Sequence, residues 1–558
     1  MPSCEASEMH SADPKPETAA SRLELGPRRL ALAFAVYSLF YGAIFWHFGP
    51  QFVDDAYITF RYAERISDGK GFTFNDHEAV LGTTTPLWTL LLAACRGLRL
   101  PLALSVGALN ALAAAALSLA LWRFLRRFGW SVLGLLAGPA LLVYERWLFV
   151  YLMGMETILS VALTIVVMER IAARRHRGIG FLGALAVLAR PDGVVIALLG
   201  LLSAWAQQRR EAKRETLLFA LALAPWAVFA TAVFGSPIPL SIAAKQAIHP
   251  AGFFSLLAGP WLQLWGDAFG RIACALGCVG LAAVIVRWRG AWAAPVWAAL
   301  YGLGLASARI TLFEWYVIPL AAAVWILAAL GLGALRDLLA AALERHARQP
   351  LARQARRVST VLQIGVLAAI VAQSSGFWRR HWRAFPPELT AKERLYLSVA
   401  RDLAPRLPAD AKVLVGEAGV FAYALPQCEI LDSAGINSPR IHTWRRAETQ
   451  RAGGSPSDQP PAWVLTVLSE MSPDLVVTLP QFVGGAQLLA HPESAPNYEP
   501  LRPPGADWGS LVVLRRKGFE LSPATRTSSK SGLSRSNSLS ANPKSSPSGY
   551  NICSATRS

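Results

Sequence analysis

Long apolar segments recur along this chain of 558 residues, and clusters of arginine lie at alternate ends of them. About 20 apolar residues cross a bilayer as one helix, and positive clusters are typical of the cytoplasmic ends. The clusters fall at 123–127, 170–177, 209–214, 287–289 and 345–357. Only 16% of the residues are charged, against about 25% in soluble domains. The pattern predicts a polytopic α-helical membrane protein and excludes an ordinary soluble enzyme.

Placing every cluster in the cytoplasm gives a path of about eleven spans. The predicted spans are 30–48, 101–122, 131–150, 155–169, 178–190, 193–208, 216–234, 268–287, 291–308, 315–334 and 358–375. Two of them, 178–190 and 193–208, are short for a span and are alternatively a re-entrant pair that meets at Arg190. The N-terminus is then cytoplasmic, and 49–100, 235–267 and everything after about 376 are periplasmic.

Composition also divides the chain into regions. Residues 1–27 are predicted to be a disordered cytoplasmic N-terminus, 28–376 a transmembrane domain with the periplasmic loop 49–100, and 518–558 a disordered Ser-rich tail. Between them, at 390–517, short β-type runs alternate with helical patterns, which predicts a C-terminal periplasmic α/β domain. There, 416–419 (Gly-Glu-Ala-Gly) indicates a strand-to-helix turn, since it lacks the glycine spacing of a dinucleotide site. Nothing resembles a nucleic-acid module, and the net charge of +18 reports topology.

The candidate chemistry begins directly after the first span. Asp54 and Asp55 open an amphipathic helix with Ile58, Tyr62 and Ile66 at helical spacing, expected to lie along the outer membrane surface. One aspartate there caps the helix and complements its dipole, but a second adjacent acid needs another reason. A carboxylate at the membrane edge suits removal of a proton from an acceptor hydroxyl. We favour Asp54 as that base, because it is nearer the span, and Asp55 as the cap.

The stretch DDAYITFRYAERISDGKGFTFNDHEAVLGTTTPLWTLLLA, which begins at Asp54, resembles the first outer loop of a family of bacterial GT-C glycosyltransferases. These enzymes use polyprenyl-phosphate-linked sugars and include the terminal arabinofuranosyltransferases of the actinobacterial cell wall. Further similar motifs lie in order at 154–157, 190–193, 237–245, 313–319 and 416–439, so the resemblance covers roughly 30–517. The chain departs from the family pattern near 81–83 and at 240–241, which bears on the sugar and the acceptor.

The resemblance implies a membrane glycosyltransferase, inverting at the anomeric carbon, in the bacterial inner membrane. It would move a sugar from a polyprenyl-phospho-sugar donor to a cell-envelope glycan, lipid or protein acceptor on the periplasmic side. The implied site comprises Asp54 and Asp55 as catalytic residues, Arg190 and Lys245 at the donor phosphate, and Tyr57, Arg61, Glu156, Trp315 and Tyr316 as substrate-binding residues. No cofactor is required by this interpretation, and a divalent metal is left open.

Other interpretations of the same residues stay open at this point. Glu156 and Arg190 could pair for structural reasons, Lys245 could be an interfacial lysine, and Trp315 could belong to an aromatic belt. The rival function is a secondary transporter or a flippase for an envelope lipid or sugar, with Glu156, Arg190 and Asp192 lining its path. The lack of an internal repeat argues against a transporter. A membrane anchor for a periplasmic binding domain is the third alternative.

The predicted orientation can be tested at Cys553, in the tail. If the chain after 376 is periplasmic, a membrane-impermeant thiol reagent will label Cys553 in intact spheroplasts. Labelling that requires lysis would reverse the orientation of every loop and contradict the site assignment.

Overall fold

The first two thirds of the chain is helical in the computed structural model. It describes residues 25–522 apart from 77, 131, 249–251, 257, 260–267, 311, most of 347–374, 384, 452–458 and 502–507. The predicted disordered ends, 1–27 and 518–558, lie almost entirely outside the described residues, and so does most of the eleventh predicted span, 358–375.

Fourteen helices are described before residue 347, and they coincide with the other ten predicted spans and with the outer loops. They are α1 (Pro27–Phe48), α2 (Asp54–Ser67), α3 (Pro86–Gly97), α4 (Leu102–Arg126), α5 (Ala137–Val143), α6 (Glu145–Leu152), α7 (Thr157–Ala172), α8 (Ile179–Ala189), α9 (Val194–Gln207), α10 (Arg209–Phe234), α11 (Leu240–Ile248), α12 (Ala268–Val286), α13 (Ala293–Ala308) and α14 (Glu314–His346).

Among the described residues, five segments are long and apolar enough to cross a bilayer, as expected of a multi-pass membrane protein. They are Pro27–Phe48, Leu102–Arg126, Arg209–Phe234, Arg289–Ala308 and Glu314–Leu338. A sixth would be the pair Gly134–Leu142 and Glu145–Leu152, bent by 74°. The shorter apolar helices include α8 and α9. They meet at Arg190, which has the extended backbone conformation that is favoured for a residue before a proline. The count of eleven spans stays a prediction.

Helices α12 and α14 cross where a glycine of each faces the other. A Cβ added at Gly280 would lie 1.9 Å from the carbonyl oxygen of Leu327, and one added at Gly331 would lie 1.9 Å from that of Leu276. Small residues at such a crossing let two helix backbones approach closely, which is how helices associate where water does not drive them together. This crossing fixes the position of α14, whose N-terminal end carries Trp315 and Tyr316.

The C-terminal region is built on a mixed sheet of five short strands in the order β2-β1-β3-β5-β4, with β1, β2 and β3 parallel. The strands are β1 (Lys412–Val415), β2 (Glu429–Asp432), β3 (Leu475–Thr478), β4 (Tyr498–Pro500) and β5 (Val512–Arg516). Five helices accompany them: α15 (Ala391–Leu403), α16 (Ala418–Ala424), α17 (Pro439–Arg451), α18 (Ala462–Glu470) and α19 (Gly485–Ala490). The sequence 416–419 is a strand-to-helix turn between β1 and α16, as predicted.

Helix α2 joins the membrane helices to this sheet. Ala56 and Phe60 are buried in the apolar cluster of the membrane helices, whereas Ile58 and Tyr62 are buried with Val413 and its neighbours beneath the sheet. The apolar side of α2 is therefore covered by protein. Its position along the outer membrane surface stays a prediction.

The crossing of α12 and α14 makes a stability prediction. Gly331→Ala would push a Cβ against a backbone carbonyl that cannot rotate away, so we expect a loss of about 1–3 kcal/mol and a lower thermal midpoint for the detergent-purified protein. Gly302→Ala in α13 is the matched control, since a Cβ there meets nothing within 4 Å. Equal midpoints for the two variants would contradict the close crossing.

Candidate active site

The carboxylate of Asp54 holds the C-terminal region against α2. Its two oxygens accept hydrogen bonds from the backbone N–H groups of Gly419 (3.2 Å) and Val420 (2.8 Å) in the first turn of α16. These N–H groups have no partner within their own helix, and the positive end of a helix favours a negative charge. Asp54 therefore acts as an N-cap supplied from another part of the chain, and it is 7% exposed.

Asp54 makes a second contact between α2 and the C-terminal region, which together form the junction. The backbone N–H of Asp54 donates to the Glu393 carboxylate at 3.3 Å, at the start of α15. Burial and the nearby Glu417 carboxylate raise the pKa of Asp54 well above its ordinary value, although Lys392 and the Val420 amide act in the opposite direction. Asp54 is thus enclosed, with both carboxylate oxygens in use.

Asp55 points to a different partner. Its carboxylate accepts a hydrogen bond from the Lys245 ammonium at 2.7 Å, and both side chains keep about a fifth to a quarter of their surface exposed. The prediction that Asp55 caps α2 is wrong, because α2 has no side-chain cap and Asp55 pairs with the lysine instead. A charged partner gives a stronger hydrogen bond than a backbone amide.

Lys245 is set in place by the start of α11. The Leu240 amide donates to the Leu81 carbonyl at 3.0 Å, so the two stretches that depart from the family pattern meet at this point. Although burial disfavours its charge, Asp55 and the Tyr316 hydroxyl, which lies 3.5 Å away, raise the pKa of Lys245. The ammonium therefore stays protonated at neutral pH and above.

Three aromatic rings, those of Phe313, Trp315 and Tyr316, form an aromatic wall beside Lys245. The Nζ of Lys245 lies 5.8 Å from each ring centroid, and the Phe313 and Trp315 rings stack in parallel with centroids 4.7 Å apart. Ring faces attract cations, and they also pack against the C–H faces of ligands. Phe313 directly precedes α14, and Trp315 and Tyr316 lie in the first turn of that helix, which brings the three rings together.

Arg190 contacts two residues of the aromatic wall, Trp315 and Tyr316. Its guanidinium makes hydrogen bonds of 2.7–3.2 Å to Asp192, donates to the Trp315 carbonyl at 3.0 Å, and lies 5.2 Å from the Tyr316 ring centroid. Glu156, at the start of α7, pairs with it at 3.6 Å. Most of the donors of Arg190 are therefore occupied by protein groups.

The structure places the remaining predicted site residues elsewhere. Tyr57 packs against Phe60 and Tyr423, whose ring centroids lie about 5.5 Å from its own. Arg61 is buried and donates to the carbonyls of Phe74 and Pro426 at 3.1 Å, which ties two loops to α2. Asp55, Lys245, Arg190, Glu156, Trp315 and Tyr316 thus form one connected group, whereas Asp54, Tyr57 and Arg61 serve the junction with the C-terminal region.

The sequence analysis missed the charged residues that the C-terminal region brings to this junction. Lys392, Glu393 and Glu417 lie more than 330 residues from Asp54 in the sequence, and contacts across such a separation leave no periodic pattern. The one available signal was the turn 416–419, whose second glycine permits close approach. A Cβ at Gly419 would lie 2.1 Å from the Asp54 carbonyl oxygen.

The junction can be tested through that glycine. Gly419→Ala leaves every charged group in place but would force α16 away from α2. We expect amide hydrogen exchange to rise by about tenfold or more in both α2 and the peptide 412–425, as local opening becomes easier. Gly376→Ala is the control, because its Cβ has no neighbour closer than 3.8 Å. Unchanged exchange in Gly419→Ala would show that Asp54 does not hold the two parts together.

Comparison with known proteins adds three findings. A family model described as a domain of unknown function, DUF8728, matches residues 387–525, and no curated protein matches the chain. The chain is similar to the crystal structure of ArnT from Cupriavidus metallidurans bound to undecaprenyl phosphate, with a TM-score of 0.52, 14% identity, and coverage of 88% of this chain and 98% of that one. It is also similar to arabinofuranosyltransferase AftD from Mycobacteria, with a TM-score of 0.50, 16% identity, and coverage of 88% of this chain and 40% of that one. At these identities the likeness concerns the fold, and the chain has a GT-C-like fold.

Proposed function

We propose that this protein is a membrane glycosyltransferase that transfers a sugar from a polyprenyl-phosphate donor to a cell-envelope acceptor. The observation that carries the proposal is the Asp55–Lys245 ion pair against the aromatic wall. It places a carboxylate, which can take a proton, beside a cation, which can hold a phosphate. The GT-C-like fold and the undecaprenyl phosphate bound to ArnT support a lipid phosphate as the donor group.

Lys245 is assigned to the donor phosphate. It stays charged because Asp55 and Tyr316 raise its pKa. A phosphate leaving group gains negative charge as its bond to the sugar breaks, and a fixed cation there lowers the barrier. The neighbouring wall of Phe313 and Trp315 offers a flat surface for the sugar ring.

Donor binding would also release the base. In the structure the Asp55 carboxylate is held by Lys245, and a phosphate that binds Lys245 competes for the same ammonium. Once released, Asp55 accepts the proton of the acceptor hydroxyl while the hydroxyl oxygen attacks the anomeric carbon. The bond between that carbon and the phosphate oxygen breaks, and its electron pair leaves with the polyprenyl phosphate. A single displacement of this kind inverts the anomeric carbon.

This proposal changes two roles suggested by the sequence. The sequence favours Asp54 as the base, but its carboxylate oxygens already accept hydrogen bonds from the amides of Gly419 and Val420, so we assign the proton transfer to Asp55. The resemblance implies that Arg190 binds the phosphate. Its contacts with Asp192 and the Trp315 carbonyl favour a positioning role, in which it holds the aromatic wall in place.

The remaining expectations stay predictions. They are the bacterial inner membrane and the periplasmic position of the site. The sequence names neither the sugar nor the acceptor. Among the described residues no three His, Cys, Asp or Glu side chains converge as a metal site would require, and the proposed mechanism routes no step through a metal ion.

The activity is tested by offering isolated membranes a panel of labelled polyprenyl-phospho-sugars and measuring label transferred to endogenous acceptors. We expect Asp55→Asn to lower single-turnover transfer by roughly a hundredfold or more. Because the variant also frees Lys245, it will bind undecaprenyl phosphate at least as tightly as the wild type. Lys245→Met will instead weaken that binding by about tenfold or more.

Asp337→Asn is the matched control. Asp337 is likewise an aspartate paired with a basic side chain, Arg287 at 2.9 Å, but it lies far along α14 from Trp315 and Tyr316. It should leave transfer and undecaprenyl phosphate binding unchanged. Near-normal transfer by Asp55→Asn would exclude Asp55 as the base. Absence of transfer by the wild type with every donor of the panel would contradict the proposed activity and favour the transporter alternative.

A further inference from the structure

A second ion pair lies at the junction, and the membrane helices do not supply it. Lys392, in the first turn of α15, donates to the Glu417 carboxylate at 2.8 Å and lies 3.7 Å from that of Glu393. Both partners of the closer pair belong to the C-terminal region, so this pair does not itself hold the two parts of the chain together. That task falls to Asp54, with the amides of α16 and with Glu393.

The pair lies close to the proposed base. Glu417 is two residues before Gly419, whose amide binds Asp54, and Asp55 is the next residue after Asp54. Burial, together with the charges of Glu393 and Asp55, raises the pKa of Glu417, although Lys392 acts against this. Glu417 therefore lies within electrostatic range of Asp55, next to the turn of α16 that binds Asp54.

Both members of the Lys392–Glu417 pair can form further hydrogen bonds. Glu417 uses Oε1 for Lys392, and within the described part of the chain its other carboxylate oxygen has no partner. Lys392 has three ammonium hydrogens and two carboxylate neighbours. The Lys392 side chain is 39% exposed and that of Glu417 14% exposed, so a ligand can reach them. Adjacent sugar hydroxyls both donate and accept, which matches a carboxylate next to an ammonium.

We propose that the C-terminal region supplies the acceptor side of the site, with the Lys392–Glu417 pair binding a hydroxyl-rich glycan so that one hydroxyl faces Asp55. This inference rests on the proposed function. It gives a role to the region that matches DUF8728, for which no function is known. It also explains why that region is docked rigidly on α2: an acceptor held by Glu417 reaches Asp55 only if the two elements keep a fixed distance.

The test measures glycan binding directly. The purified full-length chain in nanodiscs is applied to an array of immobilised oligosaccharides from bacterial envelopes. We expect the wild type and Asp55→Asn to retain the same glycans, because Asp55 acts on the bound hydroxyl and does not hold the acceptor. Glu417→Ala should lower the affinity by about tenfold or more, since hydrogen bonds to a charged group are lost. Glu417→Gln, which keeps one acceptor oxygen, should be intermediate, and Lys392→Met should resemble Glu417→Ala.

The same sheet offers a matched control. Lys412 and Glu429 form an ion pair of 3.8 Å between β1 and β2, with both side chains more than 40% exposed. Glu429→Ala should leave glycan affinity unchanged. Hydrogen exchange of the peptide 412–425 shows whether each variant keeps the C-terminal region docked, and undecaprenyl phosphate affinity, expected to stay within about twofold of the wild type, shows whether the donor side is intact.

The inference is overturned if the wild type retains no glycan, or if Glu417→Ala does not reduce glycan retention. A parallel loss of undecaprenyl phosphate binding in Glu417→Ala would also overturn it, because the pair would then support the whole site and not the acceptor. The proposed function fails separately. If glycans bind through Glu417 but the wild type transfers no labelled sugar, the acceptor site stands and the glycosyltransferase activity does not.

Discussion

The buried contact between the Asp54 carboxylate and the first turn of α16 is the interaction on which the arrangement of this protein depends. It satisfies two backbone amides that have no partner within their own helix, and it places a carboxylate at the positive end of that helix. Around it, α2 lies between the apolar core of the membrane helices and the core beneath the sheet. A carboxylate in such surroundings is strongly disfavoured unless paired, so the junction has one well-defined geometry.

That geometry explains why two adjacent aspartates are present. Consecutive residues of a helix project about 100° apart, so side chains at neighbouring positions reach different surroundings. Asp54 is directed to α16, and Asp55 is directed to Lys245 on α11. Asp54 joins the two parts of the chain, and Asp55 remains available for the proton transfer that we propose. Their repulsion is relieved because each has its own positive partner, a helix end in one case and an ammonium in the other.

The membrane helices contribute rigidity to the same site. The glycine crossing of α12 and α14 positions α14, and Arg190 connects the end of α8 to the Trp315 carbonyl. Arg190 and Glu156 are ionisable groups among apolar helices, where an unpaired charge would be expensive. They pair at 3.6 Å, as the structural alternative predicts, and Arg190 also contacts the aromatic wall that lies beside Lys245.

The sequence by itself determined the membrane-protein class, the positions of most apolar helices before residue 347 and the alternation of strands and helices in the C-terminal region, because apolar length and periodicity are local properties. It also pointed to Asp55, Lys245 and Tyr316 through their motifs. It could not decide which aspartate serves which purpose, since both precede the same helix. Only the tertiary structure did so, because the amides of α16 lie some 365 residues from Asp54 in the chain. The Lys392–Glu417 pair could not be predicted for the same reason, because the role that we propose for it depends on the residues that pack next to it.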